Sequence, residues 1–354
     1  MASLFSPVSF RAVTLPNRVV VSPMCQYSSE DGFANDWHLI HLGSRAVGGA
    51  GLVFTEATAV TPEGRITPHD LGIWKDEHIP MLARIVDFLH EQGAVAGMQL
   101  AHAGRKASMQ RPWQGEKLLW PQEGGWTNVV APSDIAFRAD YAQPHALTVD
   151  GIRAICDAFA AATRRAIEAG FDVIEIHAAH GYLLQEFLSP FSNKRTDDYG
   201  GSFENRIRFL VETVNAVRAE LREDQPLFVR ISATEWTAGG WDLDDSVKLA
   251  RVLKEHGVDV IDASSGGNVA GATIPTGPSY QVPFAHRIRT DAAIATAAVG
   301  QITQPAQADS IIRNGEADLV LLAREFLRDP YWVLHAAQTL GAEMTWPAQY
   351  LRAA

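Results

Sequence analysis

Residues 171–182 read Phe-Asp-Val-Ile-Glu-Ile-His-Ala-Ala-His-Gly-Tyr, a nearly continuous apolar run that ends in a knot of reactive side chains. A strand with one solvated face alternates apolar with polar residues, whereas a run of this kind suits a parallel strand covered on both faces. The segment before it, 151–169, places Ile152, Ile155, Phe159 and Ala162 at helical spacing, the pattern of a helix packed along one stripe. Segment 202–221 has the same character, with Ser202 as its N-cap. Apolar runs like that at 171–178 recur at 18–24, 51–57, 95–101, 226–232, 258–264, 294–300 and 317–323, most followed by a helix-like stretch. Eight alternations of strand and helix predict an α/β fold, a (β/α)8 TIM barrel rather than an open doubly wound sheet. No low-complexity linker divides the chain, so 1–354 is expected to be one domain.

The interval between the third and fourth runs is far longer than a helix needs. It carries Arg111-Pro112-Trp113, Trp120-Pro121, Gly124-Gly125-Trp126 and Ala131-Pro132-Ser133. An ordered insertion capping the active-site mouth is expected here, either as a structural loop or as a functional lid.

Composition narrows the function classes. The chain has 354 residues, 47% of them apolar, and a formal net charge of −11. That balance argues against a general binder of nucleic acid or anionic membrane, which needs a basic face. No apolar run is long enough to span a bilayer, and residues 1–18 lack the regions of a signal peptide, so a cytoplasmic protein is expected. The two cysteines, Cys25 and Cys156, form no Cys-x-x-Cys pair, which suggests neither a disulfide framework nor a zinc module.

Barrels of this kind carry their sites at the carboxyl ends of the strands, and there the reactive residues gather. Cys25 and Tyr27 follow the first run. Gln99 stands near the end of the third, before His102 through Lys106; His177, His180 and Tyr182 follow the fourth. Arg230 lies within the fifth run, Ser264 ends the sixth, and Gly300, Ala323 and Arg324 end the last two. His177 and His180 suit three readings: donors to a substrate oxygen that gains negative charge, two ligands of a metal, or structural histidines. As donors they would leave a nearby phenol to supply a proton. Asp172 and Glu175 precede them, and spacing fixes neither as a ligand. Cys25 is a small buried hydrophobe, a nucleophile or a contact to a redox cofactor, whereas Cys156 sits on an apolar helical face. Glycine and arginine after the seventh and eighth strands suit a phosphate. Arg230, charged inside a strand, requires a partner: an electron-rich ring or a carboxylate.

These residues are also where the chain resembles the old yellow enzyme family, over essentially its full length. Leu15-Pro16-Asn17-Arg18 with Ser22-Pro23-Met24 is similar to the family's first-strand signature. Ser189-Pro190, then Asn193-Lys194-Arg195-Thr196-Asp197, Tyr199-Gly200-Gly201-Ser202 and Glu204-Asn205-Arg206, is similar to its most distinctive motif. Cys25, within Pro23-Met24-Cys25-Gln26-Tyr27, and the stretch from Gln99 to Lys106 resemble the thermophilic-like branch, which includes bacterial xenobiotic reductases.

The resemblance implies an FMN-dependent ene-reductase that is reduced by NADPH or NADH and then passes hydride from flavin N5 to an electron-poor alkene, in a ping-pong sequence. Enones, enals, maleimides and nitroalkenes are the implied substrates. It implies that Ser22, Pro23, Met24, Cys25 and Ala57 line the flavin, that Gln99 bonds its pyrimidine edge, and that Arg230 stabilises its reduced form. Gly300, Ala323 and Arg324 would hold the phosphate. His177 and His180 would bind the substrate oxygen, Tyr182 would donate the proton, and Tyr27 would line the pocket. Arg352 would enter a neighbouring subunit's site, implying a homodimer or homotetramer. No role for Lys106 follows. A metal-dependent lyase or hydrolase using the two histidines, and a non-catalytic flavin binder, are the rival readings.

Overall fold

Eight parallel strands hydrogen-bond in chain order and close on themselves: β1 (Val19–Val21), β2 (Leu52–Ala59), β3 (Val95–Ala101), β4 (Val173–Ala178), β5 (Leu227–Ser232), β6 (Val260–Ser264), β7 (Ala295–Val299) and β8 (Leu319–Leu322), with β8 paired to β1. The computed structural model describes residues 2–354; Met1, part of the expected 1–354 domain, lies outside the described residues. Helices α1 (Asp36–Val47), α2 (Ile79–Glu91), α3 (Val149–Glu168), α4 (Phe203–Glu220), α5 (Leu243–Glu255), α6 (Val282–Ala292), α7 (Pro305–Arg313) and α8 (Trp332–Leu340) accompany the strands, so the chain is a (β/α)8 TIM barrel. The Ser202 side chain caps α4 by accepting from the Asn205 N–H at 3.3 Å.

Strand periodicity sorts the barrel interior into layers, because residues two apart face the same side. The lowest layer is apolar. Val20, Leu52, Phe54, Val173, Phe228, Val260, Ala297 and Leu319 cluster inside the barrel. The hairpin of Val8–Phe10 and Val13–Leu15 closes the amino-end opening, its Phe10 ring 5.5 Å edge-on from Phe228. Two residues further along, the same inward phase carries Gln99, Glu175, Arg230 and Asp262, all buried. Two further still, it carries His177, Ser232 and Ser264. The interior thus changes from hydrocarbon to charge to hydrogen-bonding groups over about 13 Å of strand, at ~3.3 Å per residue. The opposite phase packs apolar side chains such as Val53, Ile174, Val229 and Ile261 into the main core beneath the helices.

Two expected strands end differently. The run 18–24 is strand only over Val19–Val21: Pro23 has no N–H to give a ladder, and the chain leaves the sheet there. The second strand runs on to Ala59, its pairing with β3 shifting between Phe54 and Ala57. The segment between β3 and α3 contains three short 3-10 turns and the two-residue strands Val130–Ala131 and His145–Ala146. Its Trp113 meets Tyr27 edge-on at 5.9 Å between ring centres, so the insertion walls the carboxyl-end mouth.

Candidate active site

His177 ends the inward row of β4, and the chain then turns sharply. His180 has φ +59 and Gly181 φ +73. This reversal brings three rings together: His177 lies 5.1 Å from His180 and 5.1 Å from Tyr182, centre to centre, both edge-on. His177 Nδ1 accepts the Ala179 N–H at 3.3 Å, which leaves its proton on Nε2 as a donor. His180 Nε2 sits 2.7 Å from the Ser264 hydroxyl, and its backbone N–H donates to Ser232 Oγ at 2.9 Å. With Ser264 donating, the His180 proton lies on Nδ1.

Burial, with the Arg230 charge nearby and, for His180, the His177 ring as well, holds both imidazoles well below their ordinary pKa. They are therefore neutral donors at pH 7. Burial likewise lifts the Tyr182 phenol well above its usual range, so that it keeps its proton. Tyr27 is raised for the same reason. Both phenols line a hollow of about 140 Å³ with Lys106, Pro112 and Tyr141.

The turn tolerates no side chain at Gly181, because a Cβ there would lie 2.3 Å from the Gly267 carbonyl oxygen. Gly181→Ala is expected to lower stability by more than about 1–2 kcal/mol, the cost of a left-handed alanine, with the clash added. The urea midpoint measures this, and an unchanged midpoint would contradict the packing described.

Below the rings, Arg230 reaches across the barrel. Its Nη1 donates to Ser22 Oγ at 3.1 Å, and its Nε lies 3.0 Å from Asp262 Oδ2. The partner that Arg230 requires is therefore a carboxylate on the next strand. Gln99 Nε2 donates to Glu175 Oε1 at 2.7 Å. Burial pushes Glu175 up to about 8 and Asp262 up to about 6. Glu175 Oε2, both Asp262 oxygens and Arg230 Nε lack an aligned hydrogen-bond partner within the chain.

Cys25 is partly buried in the loop after β1. Burial, then the carboxylates of Asp70 and Glu56, push its thiol well above its ordinary pKa. It is a neutral thiol and not a thiolate nucleophile. Cys156 is buried on α3, 3.6 Å from Thr213 Oγ1.

At the carboxyl ends of β6 to β8 a second hollow, about 490 Å³, is lined by Ser264, Tyr280, Gly300, Ala323, Arg324 and Arg328. Its volume is in the range of small-molecule sites. Two arginines and the backbone at Gly300, whose φ of +123 is open to glycine and disfavoured for other residues, suit a phosphate. The orphaned polar atoms around Arg230 suit a planar group with hydrogen-bonding edges, so the donor set fits FMN.

Most of the residues expected at the site border these two hollows or the layer between them. Pro23, Met24 and Ala57 belong to the loop after β1 and to the bulged part of β2. Arg352 does not reach the site within this chain: it is exposed in the C-terminal turn Ala348–Ala353. Asp172 is turned outward, accepting from Ala96 N and contacting His90. Glu175 faces Gln99 rather than the histidines. Among the described residues no three His, Cys, Asp or Glu converge as metal ligands. Sequence reasoning missed Asp262 and the anchoring of His180 by Ser264. The signal was available in the shared inward phase of polar residues at 175, 230 and 262 within apolar runs.

Comparison with known proteins agrees with this geometry. Residues 3–343 match the NADH:flavin oxidoreductase / NADH oxidase family. An NADPH dehydrogenase of Geobacillus sp. (strain WCH70) is 51% identical over 99% of this chain and 98% of its own. That of Bacillus subtilis (strain 168) is 49% identical over the same shares. Among solved structures, morphinone reductase in complex with tetrahydroNAD superposes with a TM-score of 0.79 at 28% identity, covering 98% of this chain and 93% of that one.

Proposed function

Because this chain belongs to the NADH:flavin oxidoreductase / NADH oxidase family, within the old yellow enzyme relationship, and is an NAD(P)H-dependent flavin oxidoreductase with FMN as cofactor, we propose that it is an ene-reductase acting on electron-poor alkenes. Enones, enals, maleimides and nitroalkenes are the substrate class. The observation that carries this reading is the ring cluster: two neutral imidazoles beside a protonated phenol at the mouth of the barrel.

When bound, FMN supplies two-electron chemistry, receiving and giving hydride at N5. Ser22, Pro23, Met24, Cys25 and Ala57 would line it, Gln99 would meet its pyrimidine edge, and Gly300, Ala323 and Arg324 would hold its phosphate. Arg230 would offset negative charge on the reduced ring. His177 and His180 would donate to the carbonyl or nitro oxygen of the alkene, drawing electron density away from the β-carbon. Neutral imidazoles can play this role, because a hydrogen bond from a fixed N–H strengthens as negative charge develops on the oxygen. Tyr182 would give its proton to the α-carbon, since its raised pKa keeps that proton available. Tyr27 would line the pocket. Arg352 would serve the site of a second copy in a homodimer or homotetramer, and the protein would work in the cytoplasm. That morphinone reductase takes up tetrahydroNAD supports NADPH or NADH as the reductant.

The direct test uses the purified protein. It is expected to be yellow, to lose its flavin absorbance on anaerobic addition of NADPH, and to regain it on addition of cyclohexenone. A colourless protein that takes up no FMN on reconstitution overturns the reading, as does reduced enzyme that no electron-poor alkene reoxidises.

A further inference from the structure

The geometry points to Lys106 as a positioning residue that holds His180 in place by joining two loops with one amino group. Its Nζ donates to the carbonyl oxygen of His180 at 2.8 Å and also to that of Gly267. This inference rests on the assignment of His180 to substrate polarisation and adds a residue to which no role follows from the family resemblance.

Two loops need such a tie. The one after β4 carries His180 in a left-handed conformation, and the one after β6 carries Gly266 and Gly267, at φ +72 and +95. They meet backbone to backbone. A Cβ on Gly267 would lie 2.5 Å from His180 Cα, and one on Gly181 would lie 2.3 Å from the Gly267 oxygen. No side chain from either loop can fill the seam, and carbonyl oxygens from both sides turn into it. Two carbonyls drawn together repel unless a donor lies between them, and a buried carbonyl without one is costly. Lys106 supplies that donor from a third element, the turn Gly104–Lys106 after β3.

The remaining surroundings of Lys106 are consistent with a fixed tether. Its Nζ lies 4.2 Å from the Phe137 ring centre and 5.5 Å from that of Tyr182. Burial lowers its pKa to about 7. Even the neutral amine keeps two N–H bonds, one for each carbonyl, so the tie does not depend on the charge. His180 is otherwise held by Ser232 at its N–H and by Ser264 at its ring. Lys106 fixes the third point, the carbonyl, and three points define the direction of the imidazole.

The test is Lys106→Met in the FMN-bound protein, read in two ways. Amide hydrogen exchange is the first. The N–H groups of His180, Gly181 and Gly266, bonded to Ser232 Oγ, Gln185 Oε1 and Thr234 O, are expected to exchange faster, with amides of the barrel strands unchanged. A double-mutant cycle with His180→Ala is the second. Alone, Lys106→Met is expected to lower kcat/KM for cyclohexenone roughly 10- to 100-fold, the scale of a misplaced catalytic group. In the His180→Ala background most of that loss is expected to disappear. Unchanged exchange, additive losses, or coupling to Tyr182→Phe in place of His180→Ala would each overturn the proposal. Should Lys106→Met fail to retain FMN, Lys106→Gln, which keeps a polar but shorter arm, takes its place in both measurements. If the wild-type protein turned over no alkene, the ene-reductase reading would fail, while the exchange result would still decide whether Lys106 joins the loops.

Discussion

Replacing Tyr182 with phenylalanine is expected to slow reoxidation of the reduced enzyme by cyclohexenone by roughly 10²- to 10⁴-fold, the usual worth of a positioned general acid, and to leave reduction by NADPH within a few-fold. The asymmetry follows from what the hydroxyl does. Alkene reduction needs a proton as well as a hydride, whereas hydride transfer from NADPH to the flavin takes no proton from the protein side chain. Tyr182 is suited to giving that proton because burial favours its neutral form, with nearby acidic groups adding to the effect. The substitution removes one oxygen and keeps the ring, so the edge contact with His177 and the packing against Ala103 and Ala107 persist. Stopped-flow absorbance of the flavin separates the two half-reactions. Equal slowing of both, or of neither, would remove Tyr182 from the proton-donor role.

The second large effect is expected at Arg230. Arg230→Met fills a similar volume but leaves Asp262 without its counter-charge, 3.0 Å away in the native protein. Breaking a buried pair by removing one member typically costs roughly 3–5 kcal/mol, and a loss of that order in unfolding free energy is expected for the FMN-free protein. The pH dependence gives the sign. Asp262 already has a folded pKa raised by burial to about 6, from an ordinary 3.8, with Arg230 acting in the opposite direction. Without Arg230 it rises further. A carboxyl whose folded pKa is raised is most favourable when protonated, so its contribution is full at low pH and is lost as pH rises through the folded value. The variant is therefore expected to be least stable relative to wild type above pH 7, and to recover much of the loss near pH 5. Adding Asp262→Asn is expected to restore stability at pH 8. Urea melts across this range, with both variants and wild type, measure it. A deficit that did not change with pH, or that survived Asp262→Asn, would mean that the pair is not the cause.

The barrel was legible in the sequence because each strand is covered on both faces, and the cost of burying polar groups there keeps the runs apolar. Val19–Val21 and Leu319–Leu322 lie inside runs read directly from the chain. The strand-end residues were legible for the related reason that polar and reactive side chains clustered at one end of most runs are more than a packed core requires. Resemblance then narrowed the three readings of His177 and His180. What stayed hidden depended on register. Asp262 is 32 positions from Arg230, and only the alignment of β5 with β6 makes them neighbours. Ser264 beneath His180, and Lys106 between two loops, likewise require the closed barrel before they mean anything. The insertion after β3 has no periodicity to read, because turns held by local hydrogen bonds such as Trp126 N–H to Ser108 Oγ leave no repeating pattern.

That insertion contributes Pro112 and Tyr141 to the hollow beside Tyr182 and contributes no strand to the barrel. The hollow that suits the phosphate lies at the ends of β6 to β8, on another arc of the rim. Part of the wall around Tyr182 is therefore free to change in sequence without disturbing the barrel strands that carry Arg230 and Asp262.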